Sequence, residues 1–210
     1  MGLFLQTAII PNADEKTARA ALEALARGKD SVELDLSGVP GADDAAVRDA
    51  LEALARSEDS MGLDVSGCRF SGSGKGVQVL FNDHCMGYER LAEALSRETG
   101  RPVLLLYIYD DDFWGYFFCE NGVILDQFMP IPEYFSDDPE EAVPDASGNA
   151  ALIAERFRVP EAAVAPYLTS WALDDLDGAE KAFETDEFPS GDCWQMVDFM
   201  AKLGWPWPWD

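Results

Sequence analysis

The chain of 210 residues carries 40 acidic and 15 basic side chains, a formal net charge of −25, on a composition 48% hydrophobic and 11% aromatic. That apolar content is enough for a real core and excludes wholesale disorder. The charge repels phosphate backbones and anionic lipid, which argues against nucleic acid or a membrane surface as partner and favours a basic protein surface or divalent cations.

The imbalance is uneven. Residues 1–100 hold 17 acidic and 10 basic residues, net −7, whereas residues 101–210 hold 23 and 5, net −18. The opening MGLFLQTAIIPNADEK has no basic stretch before its apolar run, which stops at Pro11, so it does not follow a signal-peptide pattern. No apolar run approaches the roughly 18 residues of a transmembrane helix, and a cytoplasmic location is expected. Cys68, Cys85, Cys119 and Cys193 are widely spaced, with no CxxC pair and a single histidine in the chain. Buried thiols are therefore expected rather than a zinc site, and no cofactor is implied.

In chain order, an opening strand around Leu3–Ile10 leads into an internal repeat. Residues 17–39 (TARAALEALARGKDSVELDLSGV) align without gaps on 46–68 (AVRDALEALARSEDSMGLDVSGC), with 14 identities over the 22 pairs from Ala18/Val47 to Val39/Cys68. Each copy reads as a helix with apolar positions at helical spacing (Ala21, Leu22, Leu25; Ala50, Leu51, Leu54), followed by an alternating strand. Asp14, Glu15, Asp43 and Asp44 suit the positive helix N-termini. The resulting βαβαβ order predicts parallel strands joined by right-handed crossovers, in a unit spanning residues 1–72.

Arg69-Phe-Ser-Gly-Ser-Gly-Lys-Gly76 invites a phosphate-loop reading but fails on spacing, and a flexible turn before a strand at Val77–Phe81 is expected. Asn82 or Asp83 caps a predicted helix over about 85–98, closed by Gly100. An antiparallel meander follows: Pro102–Tyr109, a turn at Asp110–Asp112, Phe113–Cys119, a hairpin at Asn121-Gly122, and Val123–Phe128. Strand periodicity puts Trp114, Tyr116 and Phe118 on one face and Phe113, Phe117 and Cys119 on the other, so this strand is expected to be buried on both sides.

After the acidic loop SDDPEEAVPDASG, helices are predicted at about 149–157 and 160–168, and a last one at Asp192–Leu203 with Trp194, Val197 and Leu203 at helical spacing. Residues 173–188 hold seven acidic side chains, yet the register of an EF-hand loop fails. WPWPWD then alternates Trp205, Trp207 and Trp209 with prolines. Exposed indoles are costly, so these are expected to dock on this chain, a second copy or a partner.

YDDDFWGYFFCENGVILDQFMPIPEYF (109–135), GNAALIAERFRV (148–159) and DEFPSGDCWQMVDFMAKLG (186–204) resemble a group of uncharacterised acidic bacterial proteins sharing a DxDFWxY…NG…DxF…PxYF core. In general character that group is similar to the immunity proteins of bacterial toxin systems, which implies a small, acidic, cytoplasmic α+β protein without catalytic residues.

The sequence thus predicts an α+β protein: the duplicated unit at 1–72, then a domain at 73–210 with an aromatic-rich meander and C-terminal helices. Its expected role is a non-catalytic, acidic interaction domain neutralising a basic partner. Candidate contacts are Asp110, Asp112, Trp114, Tyr116, Asp137, Asp138, Glu140, Glu141, Asp174, Asp175, Asp177, Trp205, Trp207 and Trp209. One alternative is a carboxylate-based metal site or hydrolase using Asp110–Asp112 with Asp126. The other is a self-associating module, a homo-oligomer joined through the Trp/Pro tail.

Overall fold

Six strands form one antiparallel sheet in the order β2-β3-β1-β4-β5-β6. The structure, a computed structural model, describes residues 2–26, 65–81, 88–135, 146–171 and 180–209. The strands are β1 (Leu5–Pro11), β2 (Arg69–Ser73), β3 (Gly76–Leu80), β4 (Val103–Tyr109), β5 (Phe113–Glu120) and β6 (Val123–Phe128). The helices are α1 (Glu15–Ala26), α2 (Tyr88–Thr99), α3 (Ala150–Phe157) and α4 (Gln195–Lys202).

β1 is hydrogen-bonded on one side to β3 and on the other to β4, both antiparallel. Both of its edges are occupied, so it is not the first strand of a parallel pair. The position of the expected division, residue 72, falls inside β2, and β1 lies between β3 and β4 in the sheet. The first repeat helix forms as α1, where the Asp14 carboxylate accepts from the Thr17 backbone N–H (2.7 Å) and Ala18, Ala21 and Leu22 are buried. Residues 27–64, which carry the first repeat strand, the second repeat helix and the second repeat strand up to its last position, lie outside the described residues, and that last position, Val65, opens a 3₁₀ turn, Val65–Gly67.

Arg69–Gly76 is a hairpin rather than a bare turn, with Ser73 paired to Gly76 across Gly74-Lys75. Alternation sets β2 and β3 side chains on two faces. Phe70 meets the Arg19 guanidinium of α1 at 4.1 Å, while Arg69 and Gln78 face the other way, toward α4 and the segment after it.

β5 is buried along its length except at Glu120, as the two-faced pattern predicts. On one face Trp114 and Tyr116 pack on Phe199 of α4 (5.0 and 5.9 Å between ring centroids), and Phe118 approaches Phe157 of α3. On the other, Tyr107 stacks on Phe117. Asn121 and Gly122 both take left-handed φ (53° and 78°) and join Glu120 to Val123 as a two-residue hairpin, the geometry that Asn-Gly favours.

The predicted helix at 160–168 is instead two 3₁₀ turns, Glu161–Ala163 and Ala165–Tyr167. Pro166 removes a backbone donor there, so a continuous α-helix is not sustained. In α4 the buried stripe is Met196, Phe199 and Met200, continued by Leu203 just past its end, while Trp194 before its start and Val197 are half-buried. The helix closes with Gly204 N–H donating to Ala201 O and Trp205 N–H to Met200 O, at a Gly204 φ of 79°. Among the described residues no helix is long and apolar enough to cross a membrane.

Candidate functional site

The β4–β5 connection carries Asp110, Asp111 and Asp112 between the paired residues Tyr109 and Phe113. Asp110 and Asp111 both adopt left-handed φ (52° and 64°), a region that aspartate enters more readily than most side chains. Two backbone bonds fix the turn: Asp112 N–H to Tyr109 O (2.9 Å) and Asp111 N–H to Leu3 O (3.1 Å). All three carboxylates stand at the exposed rim of the sheet.

Beside them lies a cluster of rings. Tyr109 stacks on Phe113 (5.6 Å) and meets Phe4, Tyr134 and Phe135 edge-on at 5.0, 5.7 and 5.0 Å. The Tyr134 hydroxyl donates to the Asp112 carboxylate, and this bond to a negative acceptor pushes the Tyr134 phenol up to about 12. Phe135 remains 58% exposed, a large apolar side chain at the edge of a carboxylate cluster. Sequence reasoning had Asp110 and Asp112 but missed Phe4, Tyr109, Tyr134 and Phe135 as their neighbours. The one available signal was the PxYF phrase, which the fold brings back against DxDFW.

Trp114 and Tyr116 are wholly buried, so as contacts for a partner they are corrected to core. Their polar atoms are answered internally: the Trp114 indole donates to Gln195 Oε1 (3.2 Å) and the Tyr116 hydroxyl to Asp126 Oδ2 (2.7 Å). Trp205 is buried as well, while Trp207 and Trp209 are half-buried against their own chain. Asp137, Asp138, Glu140, Glu141, Asp174, Asp175 and Asp177 lie outside the described residues. Asp186 of the same acidic stretch is internal. Its Oδ2 accepts from the Tyr167 hydroxyl (2.7 Å) and Phe183 N–H (3.0 Å), and Oδ1 pairs with Lys202 at 3.0 Å.

Asp126 belongs to a separate place. A bulge in β6 pairs Asp126 with Phe118 but Ile124 with Cys119, so two residues that regular alternation would put on one face lie on opposite faces. Asp126 is thereby turned toward Tyr116 and the start of α3, where Oδ2 also accepts from Asn149 N–H at 3.0 Å. Asn149 caps α3 through its own side chain, accepting from Leu152 N–H. The cleft beside them, about 360 Å³, is bordered by Asp126, Ser147, Asn149 and Glu161. Burial raises the Asp126 carboxyl above its ordinary 3.8 despite those donors.

Asp126 sits five residues along β5 from Phe113, roughly 17 Å at strand spacing, so it does not join the Asp110–Asp112 carboxylates at one ion. Among the described residues no three carboxylate, thiol or imidazole groups converge on a metal position. Cys68, Cys119 and Cys193 are buried, and the Cys193 thiol is pushed up to about 12 by burial and by the Asp192 and Asp111 carboxylates, the reverse of an activated nucleophile.

Compared with known proteins, the chain matches no family model, no curated protein sequence and no solved structure.

Proposed function

We propose that this is a cytoplasmic, acidic protein-interaction domain that docks a basic surface of another protein, in the manner of an immunity protein neutralising a basic toxin. The observation that carries this reading is the rim, where three exposed carboxylates border the exposed Phe135 ring and half-buried Phe4, Tyr109 and Tyr134. Carboxylates steer a cationic surface and speed its approach, while an aromatic neighbour gives an arginine a ring face once water is expelled. Hot spots combine these parts: an apolar or aromatic anchor inside a polar ring. The net charge of −25 supplies the long-range field, and the duplicated unit of residues 17–39 and 46–68 enters as scaffold.

The test compares two variants of equal charge. Asp110→Asn/Asp111→Asn/Asp112→Asn keeps a residue tolerant of left-handed φ at each turn position. Glu15→Gln/Glu23→Gln/Glu155→Gln removes the same charge elsewhere. Binding of a short arginine-rich peptide at low salt should weaken about tenfold more for the first than for the second. Equal losses would reduce the rim to a share of the general charge and end the proposal.

A second reading rests on Asp126: a carboxyl kept protonated to higher pH by burial, facing a polar cleft with Glu161 at its border, has the makings of a general acid. Calorimetric titration with Mg²⁺, Ca²⁺ or Mn²⁺ that gives the same heats for the native chain and Asp126→Asn would remove metal-assisted chemistry from this reading.

A further inference from the structure

Residues 205–209 lie over the β2–β3 hairpin, with Trp205 buried, Trp207 and Trp209 half-buried, and Pro206 and Pro208 exposed. The segment is gripped by side chains. Gln78 Nε2 donates to Trp205 O (3.4 Å) and Pro206 O (3.2 Å), and Lys75 Nζ donates to Gly204 O (3.3 Å). The Arg69 guanidinium lies 4.9 Å from the centre of the Trp209 ring, and Trp194 meets Trp207 edge-on at 5.9 Å.

Two features set this apart from ordinary packing. Pro206 and Pro208 have no N–H to give to a strand edge, so the segment is held by its carbonyls and its rings. That is the chemistry by which proline-rich peptides are recognised: carbonyls read by a side-chain donor, rings seated against aromatic and cationic neighbours. The receiving side is also pre-arranged by the sheet. Pairing of Arg69 with Leu80 and Ser71 with Gln78 puts Arg69 and Gln78 on one face, and Gln78 is only 6% exposed while its amide faces the segment's carbonyls.

We infer that the face formed by Arg69, Lys75, Gln78 and Trp194 is a recognition surface for a segment alternating aromatic residues with proline, occupied in cis by residues 205–209. A segment of the same chemistry presented in trans competes with the cis copy. Trp205, buried and with its N–H bonded to Met200 O, stays in place, and the cis copy yields from Pro206 onward.

The test uses the full chain and a labelled peptide of sequence GWPWPWD. The cis copy acts as a competitor at high effective concentration, so the native chain should bind the peptide weakly. Trp207→Ala/Trp209→Ala, which loosens the cis copy but keeps Trp205, should bind it at least about tenfold more tightly, and adding Arg69→Ala should abolish the gain. Equal binding by native chain and double variant, no binding by either, or a gain indifferent to Arg69 overturns the inference. Titration of the native chain with excess unlabelled peptide gives an answer that does not depend on a variant folding. The indole N–H signals of Trp207 and Trp209 should shift as the peptide displaces the cis copy, and signals unmoved at saturating peptide contradict a displaceable segment.

Discussion

At Gly115 a methyl group would come within 2.5 Å of both the Tyr107 hydroxyl and the Phe128 carbonyl. The Tyr107 ring crosses β5 where no side chain stands in its way, stacked on Phe117. Gly115→Ala should therefore cost roughly 1–3 kcal/mol through overpacking, read as a lower urea midpoint with unchanged m-value. Position 111 behaves in the opposite sense. Its backbone is left-handed, so Asp111→Gly should leave stability unchanged or slightly raised, while Asp111→Val should lose about 1–2 kcal/mol in the same measurement.

Asp126 gives a pH signature. Its folded pKa is raised by burial above the ordinary 3.8, so below that value both states hold the proton and nothing is lost. As pH rises past 3.8 the unfolded chain releases its proton more readily, and stability falls until native Asp126 has ionised too. Asp126→Asn can still accept from Tyr116 and Asn149 without the charge. Its urea midpoint relative to the native chain should climb as pH rises past about 4 and level off once the native carboxyl has ionised. A difference flat in pH would mean that burial does not shift this carboxyl.

At the level of elements, patterns contained in one stretch were legible and those made by distant stretches were not. Asn121-Gly122, the two-sided burial of β5 and the helix at about 149–157 each depend on neighbours in sequence. The β1 pairing with β3 and β4 does not: helix–strand alternation suggested a parallel unit, whereas tertiary pairing made the sheet antiparallel. The Ser-Gly-Ser-Gly run hid β2, because residues of low strand propensity pair there only with the support of β3. The rim was half visible for the same reason, since Tyr134 and Phe135 reach Tyr109 only once the chain has turned back after β6.

The acidic stretch around 180–188 shows what such blindness costs. Counted in sequence, Asp186 was one more surface charge; in the fold it ties the Tyr167 hydroxyl, the Phe183 amide and Lys202 together at 4% exposure. Asp186→Ala should leave the Tyr167 hydroxyl and the Phe183 N–H without their acceptor and Lys202 with Thr185 and the Phe183 ring, costing on the order of 2–4 kcal/mol by chemical denaturation. A loss under 1 kcal/mol would show that the network is replaceable by water.

At the scale of the whole molecule, three large apolar side chains among the described residues stand exposed, Val123, Leu125 and Phe135, and of these Phe135 borders the Asp110–Asp112 turn. The aromatics of the meander are enclosed, the Trp–Pro segment is docked on β2–β3, and Phe135 stands exposed next to carboxylates. Charge alone would attract any cation diffusely; an exposed ring among carboxylates gives attraction a place. Amide chemical shifts during titration with a short arginine-rich peptide test this most directly. The changes should concentrate at Phe4, Tyr109–Asp112, Tyr134 and Phe135, and Phe135→Ala should weaken binding about tenfold with net charge unaltered. Shifts spread evenly over the acidic surface, with Phe135→Ala binding as the native chain does, would contradict a defined interface at the rim.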